Sequence, residues 1–296
     1  MLYILYRIAY FLALMLPLKA AYWLACRIAG LWCRISRKDR MVIMNNMKTV
    51  LGDRISNDRA KILTKEVFRN FAKYLVDFFR FSLIDREFIK KFVKVDGLSN
   101  LDEALRRGKG VIALSAHIGN WELGGAVLPS IGYPTSAVVL SHQDKNINEF
   151  FKRQRLKCRM KPIEIGISLK SCYVALKNNE VLALLGDRDF TKNGIAADFF
   201  GKKASIPKGP AVFSYRIGSA IVPTFMLRED DDTFRFVFDK PIYPNTDGDE
   251  RAETISLTKK IVSVMEDYVR RYPTQWYVFK DIWSNDEFDV RPDTVL

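Results

Sequence analysis

The residue best suited to chemistry is His117, one of only two histidines in the chain, the other being His142. It stands in Val111–Gly125, VIALSAHIGNWELGG, where an apolar run ends at Ser115 and a helix begins near Asn120. A strand that gives way to a helix in this manner puts the turn where open α/β sheets collect ligands, outside the carboxyl ends of their strands. Glu122 lies five positions after His117, about one helical turn further along, so the imidazole can fold back towards it. A carboxylate on one ring nitrogen fixes the tautomer and leaves the other nitrogen to accept a proton. Backbone N–H groups at the helix start would suit a developing oxyanion. Asn120 is placed either to position substrate or to cap the helix.

Other chemistries fit less well. Two histidines exclude a His-rich metal centre. The four cysteines, Cys26, Cys33, Cys158 and Cys172, form no CxxC pair and no regular framework; this argues against a zinc module or a disulfide scaffold and suits a reducing compartment. There is no GxSxG elbow to mark a serine nucleophile.

The elements that must position His117 follow from hydrophobic spacing. Leu63, Val67, Phe71, Leu75 and Phe79 recur every four positions, which predicts an amphipathic helix over Asp58–Phe81 with Asn57 or Asp58 as its cap. Beyond it, short apolar runs alternate with amphipathic stretches. Strands are expected at 92–95, 111–115, 136–140, 162–165, 181–185, 221–227 and 234–238, the last antiparallel to its predecessor. Helices are expected at 100–107, 120–129, 146–157, 169–178, 209–217 and 251–271. Such alternation indicates an α/β fold whose central sheet is mixed but mostly parallel, with helices on both faces.

Forty-seven Lys and Arg against thirty-four Asp and Glu give a net charge of +13. Residues 1–50 carry eight bases and one acid and are otherwise strongly apolar. The longest uncharged run, Ile8–Leu18, is about half the roughly 20 residues a spanning helix needs. Lys19, Arg27 and Arg34 fall within about 80° of one another on a helix, a polar stripe on an aromatic and aliphatic segment interrupted near Pro17. Residues 1–40 are therefore read as a membrane-associated segment lying at an anionic surface, ahead of a single domain over 41–296. A second concentration, Lys152–Lys161 (KRQRLKCRMK), has no companion zinc-finger, RNP1 or basic-zipper motif. With acids near the C-terminus (Asp281, Asp286, Glu287, Asp289, Asp293), it argues for no nucleic-acid partner.

The segment HIGNWE closely resembles the signature of the bacterial lipid A biosynthesis acyltransferase family, the lauroyl and myristoyl late acyltransferases, to which the phosphatidylinositol mannoside acyltransferases are related. Both fall in the wider glycerolipid acyltransferase group with an HxxxxD/E motif. The resemblance continues through LGDRDFTKNGIAADFFG (Leu185–Gly201), IPKGPAVFSYRIGSAIVP (Ile206–Pro223) and YPTQW (Tyr272–Trp276). It implies an O-acyltransferase in which His117 is the general base, oriented by Glu122, for direct attack of a hydroxyl on an acyl thioester. It implies that Arg153 engages the acceptor's phosphate, with Arg155 as the neighbouring candidate; here Lys157 stands where the family usually has a glycine. Asp187 and Asp189 match the acidic block and would orient Arg153, bind the acceptor's polar head, or form an ion-pair network. Trp276 reads as core packing.

The implied donor is acyl carrier protein or coenzyme A, the implied acceptor a glycolipid, first a lipid A precursor. The place would be the cytoplasmic face of a bacterial inner membrane, with no metal or redox cofactor. A phosphatidylinositol mannoside or lysophospholipid acceptor is the alternative, and a basic membrane-surface scaffold is the non-enzymatic one.

Overall fold

Every side chain of Val111–Ser115 is buried, so both faces of that strand must be covered. The computed structural model, which describes residues 2–52, 55–165 and 169–283, shows how. Three helices open the chain, α1 (Leu2–Met15), α2 (Leu18–Ile35) and α3 (Arg37–Leu51), followed by α4 (Asn57–Phe79) and α5 (Arg86–Phe92). The α/β region runs β1 (Val93–Asp96), α6 (Leu98–Leu105), β2 (Val111–Ser115), α7 (Trp121–Ser130), β3 (Thr135–Val139), α8 (Lys145–Lys157), β4 (Lys161–Glu164), α9 (Leu169–Lys177) and β5 (Val181–Leu185). A hairpin, β6 (Ile195–Phe199) and β7 (Lys202–Ile206), precedes α10 (Gly209–Ile217), β8 (Ala220–Arg228), β9 (Phe234–Phe238) and α11 (Glu250–Arg271).

Seven strands form one sheet in the order β1-β9-β8-β2-β5-β3-β4. All neighbours are parallel except β8 and β9, which the short turn after Arg228 makes antiparallel. This is the expected α/β architecture with a mostly parallel sheet. Period-two alternation divides its side chains between two cores. Ile112, Leu114, Leu182, Leu184 and Phe225 pack with α3, α4 and α11 on one face. Val111, Ala113, Val181, Val222 and Met226 pack with α6, α7 and α8 on the other.

Several boundaries differ from the sequence reading for local reasons. Ser56, rather than Asn57 or Asp58, caps α4, its hydroxyl accepting from the Arg59 amide at 3.2 Å. Helix α6 begins at Leu98 behind a left-handed Gly97, and Asn100 reaches the Phe238 carbonyl at 2.9 Å instead of capping. The β6–β7 hairpin was not expected: its strands are short and half exposed, and its signal is the Phe200–Gly201 turn, both residues having positive φ.

The N-terminal segment is helical with its break at Pro17, as its pattern requires. Tyr6, Ala13, Ala21, Tyr22, Ala29 and Cys33 are buried against the rest of the fold, and α2 lies along α4. The opposite side exposes Ile4, Ile8, Phe11 and Met15 of α1 and Trp23, Ile28, Leu31 and Ile35 of α2. No helix among the described residues is long and apolar enough to cross a membrane. Of the acids near the C-terminus, Asp286, Glu287, Asp289 and Asp293 lie outside the described residues.

Candidate active site

Strands β2 and β5 are parallel neighbours, with Ser115 in register with Leu185. His117 and Asp187 each stand two residues beyond that matched pair, so the register itself brings them together. The Gly186 amide donates to the Ser115 carbonyl at 2.9 Å, extending the ladder one step. The His117 Nδ1 then lies 2.8 Å from Asp187 Oδ1. Asp187 Oδ2 accepts from the His117 amide and from the Trp276 indole, both at 2.9 Å. Asp187 has no exposed side-chain surface, whereas the His117 ring keeps 13%.

Burial alone would raise the Asp187 carboxyl; the facing imidazole and the hydrogen bonds from His117 and Trp276 outweigh it and hold the group below its ordinary value. An ionised Asp187 can only accept, so Nδ1 carries the proton and the Nε2 lone pair points away from the carboxylate. This is the geometry of a general base held in one tautomer. Aromatic walls surround the ring. Trp121 meets it edge-on at 5.1 Å, Phe190 stands at 6.4 Å, and Trp121 stacks on Tyr74 at 4.5 Å.

The pairing expected of His117 with Glu122 does not form. Glu122, in the first turn of α7, accepts three hydrogen bonds from the Arg155 guanidinium at 2.5–3.2 Å, and both side chains are buried. Helix α8 brings Arg155 against α7, and the two opposite charges satisfy each other in a forked pair. Asn120 is the cap of α7, its Oδ1 accepting from the Leu123 amide at 3.0 Å.

Arg153, two positions from Arg155, lies on the exposed side of α8, where its ion pair goes to Glu149 at 2.7 Å, one turn earlier on the same helix. Asp189 organises its own loop. It accepts from the Thr191 amide and hydroxyl, the Gly194 amide and the Ser205 hydroxyl at 2.7–2.9 Å. The structure thus brings His117, Asp187 and Asn120 to one turn, sets Glu122 beside it on Arg155, and brings neither Arg153 nor Asp189 into hydrogen-bond contact with His117. His142 packs on Phe151 with ring centroids 4.5 Å apart.

The turn after His117 is held by main-chain bonds. Gly119 N donates to Gln275 O at 2.9 Å, Asn120 N to Met226 O at 2.7 Å, and Tyr277 N to His117 O at 2.7 Å. Only glycine fits at 119: its φ is +63°, and a Cβ there would meet the Met226 carbonyl oxygen at 2.1 Å. With the Ile118 amide on Ala116 O, the amides of the turn itself are occupied and do not supply the expected oxyanion donors.

Trp276 was read as packing alone; its ring is fully buried, but its indole N–H is also a support of Asp187. Sequence reasoning missed Asp77 and Arg228, and quoted Gln275 only as part of YPTQW without giving it a role. The available signal was a carboxylate on the apolar face of α4, three positions after Tyr74. Among the described residues no group of three or more His, Cys, Asp or Glu is placed to hold a metal ion.

Two outcomes follow from these contacts. Glu122→Ala leaves the Arg155 charge buried without a partner, and its expected cost is about 3–5 kcal/mol of stability by denaturant unfolding. For Asp187, a lowered folded-state value means that its stabilising contribution is present above its ordinary value of 3.8 and lost as pH falls through the lowered one. The melting-temperature deficit of Asp187→Asn relative to the parent should therefore be full above about pH 4 and shrink below it.

Comparison with known proteins shows the family. The sequence model of the family described as bacterial lipid A biosynthesis acyltransferase matches residues 1–285. A phosphatidylinositol mannoside acyltransferase of Mycolicibacterium smegmatis is 26% identical over 236 residues, covering 77% of this chain and 75% of that protein. A phosphatidylinositol mannoside acyltransferase of Mycobacterium tuberculosis strain H37Rv is 27% identical, covering 75% of this chain and 70% of its own. The lipid A biosynthesis palmitoleoyltransferase of Escherichia coli K12 is 24% identical over 279 residues, covering 94% of this chain and 87% of its own. With a family match reaching almost from end to end, and a histidine–carboxylate pair at the sheet's carboxyl edge, the chain belongs to the bacterial lipid A biosynthesis acyltransferase family and is an acyl-transferring enzyme.

Proposed function

We propose that the protein transfers a fatty acyl group from a thioester of acyl carrier protein or coenzyme A to a hydroxyl of a glycolipid, first a lipid A precursor, on the cytoplasmic face of a bacterial inner membrane. The observation that carries the reading is the Nδ1-anchored imidazole of His117 on the buried Asp187. His117 Nε2 takes the proton of the acceptor hydroxyl as its oxygen attacks the thioester carbonyl. The tetrahedral oxyanion is met by helix-start amides. Collapse breaks the C–S bond, and the thiolate leaves with the proton held on Nε2, which restores the neutral ring. Asp187 acts through His117 and never touches the acceptor. Glu122 holds Arg155 and the start of α7, and contributes to the reaction by keeping that framework in place.

A mostly apolar cavity of about 160 Å³ lies between α2, α4 and α5, lined by Leu18, Phe88, Leu123 and Phe234 and also by Asp77, Arg80 and Asp232. We assign it to methylenes of the acyl chain. The membrane reading rests on the exposed apolar faces of α1 and α2 beside the exposed Arg7, Lys19, Arg27 and Arg34, a combination suited to anionic headgroups over an acyl layer. A mannoside acceptor is favoured by the names of the mycobacterial relatives, and a lipid comparison separates the two.

His117→Ala is expected to abolish transfer from an acyl thioester while the protein still binds vesicles, and lipids from cells lacking the gene should show which glycolipid loses which chain by mass spectrometry. Transfer retained by His117→Ala would overturn the assignment of the base. Replacing Ile4, Ile8, Phe11 and Met15 together by Ser should release the protein from anionic vesicles in a sedimentation assay without lowering its melting temperature, because all four side chains are exposed. Unchanged sedimentation would overturn the interfacial role of α1.

A further inference from the structure

Asn120 has a use that capping does not explain. As a helix cap, Asn, Asp and Ser are about equally good, because each offers an oxygen to the N2 or N3 amide. Asn120 is only 1% exposed, and the other half of its carboxamide is also engaged: Nδ2 donates to Asp77 Oδ2 at 2.8 Å. Turning the amide over would set NH2 against the Leu123 N–H and oxygen against a carboxylate, so its orientation is physically fixed. Only asparagine can accept on one side and donate on the other at this length.

Asp77 is itself held from three directions. Tyr22 of α2 donates to Oδ1, while Arg228 Nη2 and Asn120 Nδ2 share Oδ2. Arg228 also donates to the Tyr22 hydroxyl at 3.1 Å and to Asp232 at 3.3 Å. Its main chain is clamped by Gln275, which accepts from Arg228 N at 2.9 Å and donates to Arg228 O at 2.8 Å. Gln275 O in turn accepts from Gly119 N. The turn after His117 is therefore tied to the end of β8 three times, directly from Asn120 N to Met226 O, through its backbone by way of Gln275, and through the Asn120 side chain by way of Asp77.

We propose that Asp77 and Asn120 are a positioning pair that holds the turn carrying His117 in reactive register, with Tyr22 and Arg228 fixing Asp77. The proposal rests on His117 being the general base. Neither residue touches the reacting atoms. Their effect is on where Nε2 lies relative to a bound acceptor, and a displacement of about 1 Å suffices for a loss on the order of 100-fold in rate. The circuit also explains why α2 is fused to the domain: its Tyr22 hydroxyl is part of the support of the turn.

The test uses the full chain and reads thiol release from a long-chain acyl-coenzyme A with a lipid A precursor as acceptor, the melting temperature, and the ¹⁵N signals of the imidazoles, of which there are two. Asn120→Asp keeps an oxygen for the Leu123 amide and loses the donor to Asp77, and Asn120→Ser keeps the cap with a hydroxyl too short to reach Asp77 Oδ2 as well. Each is expected to lower kcat by about 100-fold with KM within about threefold, and to leave the His117 Nδ1 proton exchanging faster.

A kcat for Asn120→Ser within about threefold of the parent, with an unchanged imidazole signal, overturns the proposal. So does a loss of activity in both variants that follows the melting temperature while the imidazole signals stay as in the parent. The proposal and the reading beneath it fail separately: activity retained by His117→Ala removes the general base, whereas the imidazole signals report on the positioning pair without any acceptor.

Discussion

A single buried carboxylate, Asp187, joins three parts of the chain that are far apart in sequence. Its two oxygens take the ring and amide of His117 and the indole of Trp276, so the end of β5, the turn after β2 and the segment after α11 meet at one charge. A carboxylate without exposed surface is costly unless its lone pairs are met by donors. Each of the three partners is therefore constrained to its place by the same requirement. Among the described residues no hydrogen bond goes to the other ring nitrogen, Nε2, which is the atom we propose as the base.

Two further buried carboxylates lie within a few residues of this centre and do different work because different cations face them. Glu122 meets Arg155, which ties α7 to α8. Asp77 meets Arg228 and Tyr22, which ties α4 and α2 to the end of β8. Such pairs add little net stability relative to apolar packing, but breaking one leaves an uncompensated charge. They act as registration devices among helices that apolar contact alone would let slide. Around them stand stacked and tilted rings of Tyr74, Trp121 and Tyr277, and Trp121 also walls the imidazole.

The N-terminal helices belong to both surfaces of the problem. One face of α2 supplies Tyr22 to the buried network, and the other exposes Trp23, Ile28, Leu31 and Ile35 beside Arg27, whose guanidinium lies 5.2 Å over the Trp23 ring. The positive charge of residues 1–50 thus sits on elements that cannot be removed without opening the core against α4. The buried wall and the exposed apolar face belong to the same helices.

Composition and spacing by themselves determined the α/β class and the strands around His117, because apolar periodicity is a local property. They also singled out HIGNWE, since a histidine past an apolar run is visible in one dimension. Which carboxylate the imidazole would meet was not visible. Glu122, five residues away, looked the closer partner, while Asp187 is seventy residues distant and reaches His117 only because β2 and β5 are hydrogen-bonded neighbours with Ser115 opposite Leu185. The same holds for Arg153 and Arg155, which the sequence offers as near-equals and a helix of 3.6 residues per turn sends to opposite sides, one to solvent and one to Glu122. Strand order and helix face decide those pairings, and both are settled by burial of the whole sheet between its two cores.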